Sequence, residues 1–172
     1  AVLACDRPAR LRRVLGDLAA PDTPQGVILD VTLVDNSESP EGRAAADVAL
    51  REGLAARLVR PGRNVGIAAG WNLAWGAMDA PDGYAGLPRP DWAALVQDDA
   101  GLDSEWLMAC MEALETWDDL ALVSGYNSPR HPTTAVRRSP GGLVLHVQPH
   151  LPGVHLVAAR RFWEGVMPLR CV

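Results

Sequence analysis

The sequence predicts an α/β protein with a mainly parallel sheet and helices on both faces. Three observations carry this. Short apolar runs alternate with segments of helical period along the chain. The runs at 27–34, 57–60 and 92–96 each lead into a polar or glycine-rich loop, and in an open α/β sheet such loops meet at the carboxyl ends of the strands, where ligands bind. Finally, 172 residues, 48% hydrophobic and 22% charged, suffice to bury a sizeable core in one domain.

The elements follow in order. Residues 1–5 are short and apolar, a buried first strand. Pro8 suits the first turn of a helix reaching about Ala20, with Leu11, Val14, Leu15 and Leu18 on one face. Residues 27–34 are β-branched and end at Asp35-Asn36-Ser37, which is turn chemistry. Ser39-Pro40-Glu41 opens a helix expected to run to about Ala55: a hydroxyl cap, a proline, then an acid. A third strand is expected at 57–60, a helix at 66–78 despite its glycines, and a Pro/Gly loop at 80–90. Then come a strand at 92–96, a helix at 104–116 and a strand at 120–124. Residues 127–142 read as irregular, 143–147 and 154–158 as strands, and 160–165 as the start of a last helix.

Charge and composition exclude several classes. A net charge of −5 gives no footing for a nucleic-acid backbone. All 16 basic residues are arginine, so a Walker-type phosphate loop is excluded, and no GxGxxG is present. Cys5, Cys110 and Cys171 are odd in number and widely spaced, which fits a reducing, cytoplasmic setting and no zinc site. No apolar run reaches the length of a membrane span. The chain lacks an initiator Met and opens on what reads as mid-strand, so further domains of a longer parent chain are expected.

The chemistry gathers in three segments. In Val96-Gln97-Asp98-Asp99-Ala100 adjacent carboxylates leave the end of a buried strand. Buried acids are costly unless paired or metal-bound, and hard oxygens at such an edge suit Mg²⁺ or Mn²⁺ shared with phosphates. Taken alone, turn or capping chemistry is the commoner explanation. The segment from Asn64 to Asn72 spaces Gly66 and Gly70 four apart with small residues between them. That lets backbone approach a ligand, or a helix pack tightly on a strand. A helix beginning at Gly66 adds positive potential for phosphate. Asp35 follows a strand and suits either a hydrogen bond to a base or ribose, or a turn.

These segments, in this order, resemble a known family: the GT-A-fold glycosyltransferases, specifically the large inverting family that uses nucleotide sugars. VLACDRPARLRRVL is similar to its opening strand and Asn-Arg-Pro turn, with Asp6 in place of Asn. LVDNS resembles its Val-Asp-Asn-Ser turn. LVRPGRNVGIAAGWN resembles the asparagine-glycine motif of rhamnosyl- and galactofuranosyl-transferase relatives. LVQDDAGLDSEWL resembles the DxD strand, and HLVAARRFWEGVMPL the acceptor-side segment with its basic pair.

The resemblance implies a single GT-A-like domain over 1–172, with a nucleotide-sugar part at 1–103 and an acceptor-side part at 104–172. Cys5, Asp6 and Arg7 would line the base pocket, and Asp35 would hold base or ribose. Asn64, Gly66 and Gly70 would sit near the nucleotide and its phosphates. Asp99 matches the metal-binding last acid of DxD and Asp98 the middle position. Gln97 replaces the first acid; its amide can still hydrogen-bond a ribose but brings no charge. The cofactor would be Mn²⁺ or Mg²⁺, and the acceptor a glycan, lipid or protein. The family's general base is an acid shortly after the segment matching 154–169, which places it past Val172. Asp118, Asp119 and Glu164 are the acids to weigh within the chain.

Two other functional classes stay open: a GT-A-like module that binds without turning over, and a nucleotidyltransferase. The latter is disfavoured, because no Gly-rich loop with a basic residue follows the first strand. His146, His150 and His155 are weaker metal candidates, since Pro149 and Pro152 break any helix that would align them. Trp71 and Trp75 lie a helical turn apart, suited to core packing or to stacking a sugar. Arg137-Arg138 and Arg160-Arg161 suit phosphate or solvent.

Overall fold

In the first strand, β1 (Val2–Ala4), neighbouring side chains serve different cores: Val2 and Ala4 pack on one side of the sheet and Leu3 on the other. That period of two is what a central strand covered on both faces requires. A computed structural model describes residues 1–19, 27–80, 89–103, 105–125, 130, 132–148 and 155–169. After β1 come α1 (Pro8–Leu18), β2 (Thr32–Asp35), α2 (Pro40–Arg51), β3 (Arg57–Val59), α3 (Gly66–Met78) and β4 (Trp92–Gln97). The second half contributes α4 (Trp106–Thr116), β5 (Val123–Ser124), β6 (Ala135–Arg138), β7 (Val144–Val147), β8 (His155–Ala159) and α5 (Arg160–Val166).

Six strands form one sheet in the order β3-β2-β1-β4-β8-β5. The pairs β2–β3, β1–β2 and β1–β4 are parallel, while β8 runs antiparallel to both of its neighbours. The architecture is therefore α/β with a mostly parallel sheet. One face is covered by α1, α2 and α4, which bury Leu11, Val14, Leu15, Ala46, Ala49 and Cys110 against Val2, Leu33, Val96 and Val157. The other is covered by α3 and α5, whose Trp71, Ala74, Trp75, Met78 and Trp163 pack on Leu3, Val34, Leu95 and Leu156. Trp71 and Trp75 are thus core residues. The Trp163 indole N–H donates to the Ala93 carbonyl at 2.9 Å, which ties α5 to β4.

Several boundaries differ from the sequence expectation. The strand expected at 27–34 begins only at Thr32, because the ladder partners start there: Thr32 faces Arg57, and Leu33 faces Val2. Helix α2 stops at Arg51, short of Ala55. Gly53 adopts φ 73°, its N–H donates to the Leu50 carbonyl, and the Leu54 N–H donates to the Ala49 carbonyl. This left-handed glycine closure satisfies the last carbonyls of the helix. The strand expected at 120–124 contracts to Val123–Ser124. The stretch expected to be irregular contains β6, which pairs with β7 as a separate two-stranded ribbon, Arg138 opposite Val144. Its turn is set by Gly142 at φ 94° and by the Ser139 hydroxyl, which accepts the Leu143 N–H. Ser104, His150, Val154, Cys171 and most of the 80–90 loop lie outside the described residues. Among the described residues no helix is long and apolar enough to cross a membrane.

Candidate functional site

The parallel strands β1, β2 and β4 deliver Cys5-Asp6-Arg7, Asp35-Asn36-Ser37 and Asp98-Asp99 to one edge of the sheet. Three long-range contacts fasten that edge. The Asp98 N–H donates to the Leu3 carbonyl, continuing the β1–β4 ladder into the turn. The Cys5 N–H then donates to the Asp98 carboxylate at 2.9 Å. From the other side, the Asp6 N–H donates to the Ser37 hydroxyl at 3.1 Å.

Asp98 is 4% exposed. Burial pushes its carboxyl above the usual value, against the opposing pull of the Cys5 N–H and the Arg7 guanidinium. Asp99, its neighbour, points outward and meets two cations: Arg7 Nη1 at 2.7 Å and Arg10 Nη1 at 3.6 Å. Arg7 also approaches Asp98, at 3.6 Å. Arg7 and Arg10 lie three residues apart at the start of α1, which places both guanidiniums over the carboxylate pair. Gln97 precedes them, half-buried and opposite Leu3 in the ladder.

The asparagine-glycine loop reaches the same edge. The Asn64 side-chain amide donates to Cys5 Sγ at 3.3 Å, and its oxygen accepts the Gly66 N–H at 2.9 Å. Gly66 sits at φ 79°, a conformation that favours glycine, just as α3 begins. Asn36, which the sequence reading did not single out, is the bridge between β2 and this loop. It is 2% exposed, donates to the Gly66 carbonyl at 3.2 Å and accepts the Val65 N–H at 3.4 Å. Glu38 adds a second tie by accepting the Asn64 N–H at 3.3 Å.

Three expected ligand contacts have other occupations. The side chain of Asp35 has no accessible surface; one oxygen accepts the Ser37 N–H and the other Arg60 Nε, both within 3.0 Å. Asp6, at φ 49°, turns its carboxylate to the start of α2. There it accepts the Ser39 N–H at 2.8 Å, the Ser39 hydroxyl at 2.6 Å and the Glu38 N–H. The Ser39 hydroxyl bond, followed by these backbone donors, holds the Asp6 carboxyl below its ordinary value. Gly70 serves packing: a Cβ there would fall 2.6 Å from Leu3 Cδ1.

The remaining candidates fall elsewhere. Arg160 and Arg161 follow Ala159, which pairs with Trp92 at the start of β4, so they sit at the opposite edge from Asp99. Arg160 is engaged there by Asp79 and Glu164. Arg137 grips Asp119 through two bonds of 2.6 Å. Asp119 and Glu164 are thus ion-paired, not aimed at the Asp98–Asp99 edge. His155 is buried against Trp106, ring centroids 5.6 Å apart, and burial lowers its pKa. His146 lies on the ribbon, exposed.

Among the described residues no group of three His, Cys, Asp or Glu side chains is placed to hold a metal ion. The donor set nevertheless suits Mg²⁺ or Mn²⁺ of the kind held by one or two carboxylates plus phosphate oxygens. Asp99 is about one-third exposed, with Asp98 adjacent. Such an ion would have to share Asp99 with Arg7. The chain matches neither a protein-family model nor a curated protein.

Proposed function

We propose that this chain binds a nucleotide-diphosphate sugar at the β1–β2–β4 edge and transfers the sugar, with inversion, to an acceptor hydroxyl. The observation that carries the reading is the meeting of three sequence-distant segments at that edge, with the Arg7 and Arg10 guanidiniums beside the Asp98–Asp99 carboxylates. Cationic forks at a strand-end loop suit a diphosphate. In this proposal Asn64, Cys5 and the Gly66 backbone contact the nucleotide, and Gln97 hydrogen-bonds the ribose. Asp99, with Asp98 behind it, holds Mg²⁺ or Mn²⁺, which when bound neutralises diphosphate charge as a Lewis acid.

The reaction is a displacement. The acceptor oxygen forms a bond to the anomeric carbon, and the bond from that carbon to the diphosphate oxygen breaks. The nucleoside diphosphate leaves with the electron pair, and a general base takes the acceptor proton. None of the described residues is given that role. Arg7 and Arg10 stabilise the charge that grows on the leaving diphosphate.

A second reading is a nucleotide-binding or structural module without turnover. The commitment of the Asp6 and Asp35 carboxylates to the fold favours it. Nucleotide release from UDP-, dTDP- and GDP-sugars in the presence of Mn²⁺ separates the two. Metal-dependent binding with release supports transfer. Binding without release, in this chain and in any longer parent protein, supports the module. Absence of nucleotide binding in both sinks the donor site altogether.

A further inference from the structure

A cavity of about 350 Å³ lies between α4, β5 and β7, on the opposite side of β8 from the carboxylate pair. Its floor is Cys110, Ala113 and Val123, all buried. Its roof is the ribbon strand β7, whose half-buried Leu145 and Val147 alternate with exposed Val144 and His146. Burial pushes the Cys110 thiol up to about 12, so that wall stays neutral. Ser124, exposed Gly125, His146 and half-buried Gln148 supply the polar part of the lining.

We propose that this cavity binds the hydrocarbon chain of an amphiphile, with the polar head at the Ser124–His146 rim. The volume falls within the range of small-ligand pockets. Among the described lining residues there is no carboxylate, no guanidinium and no Phe, Tyr or Trp ring. That composition offers no charged partner for a phosphate and no ring to stack a sugar, and its aliphatic floor suits flexible methylenes. An apolar floor offers water too few partners to hold it, so a chain gains what water cannot. The roof suits entry, because a two-stranded ribbon outside the main sheet has little stability of its own.

Position adds a role. Ser124 and Gly125 lie at the carboxyl end of β5, on the sheet edge that also carries Asp98 and Asp99; through Leu156, Ser124 is level with Leu95, two strands across and three residues short of Asp98. A head group at that rim would share a sheet edge with the proposed donor site, which assigns the amphiphile as the acceptor. This last step rests on the transfer reading; binding of the chain does not.

Calorimetry of the protein with hexyl, octyl and decyl β-glucosides, each below its micelle concentration, tests the site. The expected result is saturable binding that tightens about tenfold for each two added methylenes, with a negative heat-capacity change. Ala109→Phe, which fills the cavity from α4, should weaken decyl glucoside at least tenfold and leave nucleoside-diphosphate binding unchanged. Ser124→Phe, at the mouth, serves if that variant does not fold. Affinity that ignores chain length in the wild-type protein overturns the proposal, as do equal affinity in a folded variant and phenyl glucoside binding as tightly as decyl glucoside. Chain binding without nucleotide binding keeps this site and discards only its role as the acceptor subsite.

Discussion

Arg7 Nη1 stands 2.7 Å from Asp99 Oδ2, across 92 residues of sequence, at the edge proposed to take a donor diphosphate and its cation. The pair is partly solvated, so it contributes little to stability, on the order of 0–1 kcal/mol. Its consequence is competitive: an Asp99 that holds Arg7 is less available to a divalent ion, and an Arg7 that holds Asp99 is less available to phosphate. In the proposed reading, donor and metal together would resolve the conflict by giving each charge a new partner.

Arg7→Ala should therefore separate the two effects. Calorimetry should show tighter binding of Mn²⁺ alone, yet at least tenfold weaker binding of a nucleoside diphosphate in the presence of metal, with an almost unchanged Tm. Asp99→Asn should abolish the metal dependence. If nucleotide affinity is the same with and without metal in wild type and both variants, the edge is not a diphosphate site.

Asp35 is expected to act through the fold. Asp35→Ala removes the acceptor for Arg60 and for the Ser37 N–H inside a closed environment, a loss of roughly 1–3 kcal/mol. Thermal denaturation should show a clear fall in Tm. A retained Tm together with lost nucleotide affinity would return Asp35 to the base pocket as a ligand contact.

The spacing of Gly66 and Gly70 left two explanations open, and the structure divides them between the two glycines. Gly66 has a loop conformation, while Gly70 has Leu3 against it. Gly70→Ala should cost about 1–3 kcal/mol by overpacking. Leu3→Ala should recover part of that loss when combined with it, a coupling measurable in a double-mutant cycle. Additive losses would show that the helix shifts freely on the sheet.

The helix at 66–78 was legible despite its glycines, and its bounds match the expectation. The same holds for the cap at Ser39, whose hydroxyl accepts the Gly42 N–H as its position before Pro40 suggested. Two further local signals stand in the sequence: Gly53 as a helix stop, and the Pro-Gly-Gly turn that makes 135–147 a ribbon. What no local pattern carries is the partner of a polar side chain. The resemblance put Asp6 in the base pocket, and nothing near it in sequence shows the bond it accepts from Ser39, 33 residues on at the start of α2. Asn36 looked like turn chemistry because its two bonds lie 29 and 30 residues away. The insertion of β8 between β4 and β5 is likewise a matter of long-range pairing.

Asp98 gives the sharpest trade between stability and function. Burial raises its carboxyl above the unfolded value of 3.8, so folding favours the protonated form. The stability this group contributes is fully present below that unfolded value and is lost as pH rises through the folded one. The fold is therefore more stable with this carboxyl protonated than ionised. Asp98→Asn keeps an acceptor for the Cys5 N–H and removes the charge. Denaturant titrations should find the variant at least as stable as wild type at pH 7, with a flatter pH profile just above pH 4, while metal-supported nucleotide binding falls by tenfold or more. A variant less stable at pH 7 than wild type would mean that Asp98 is held mainly by Arg7 and Cys5, and that its charge stabilises the fold.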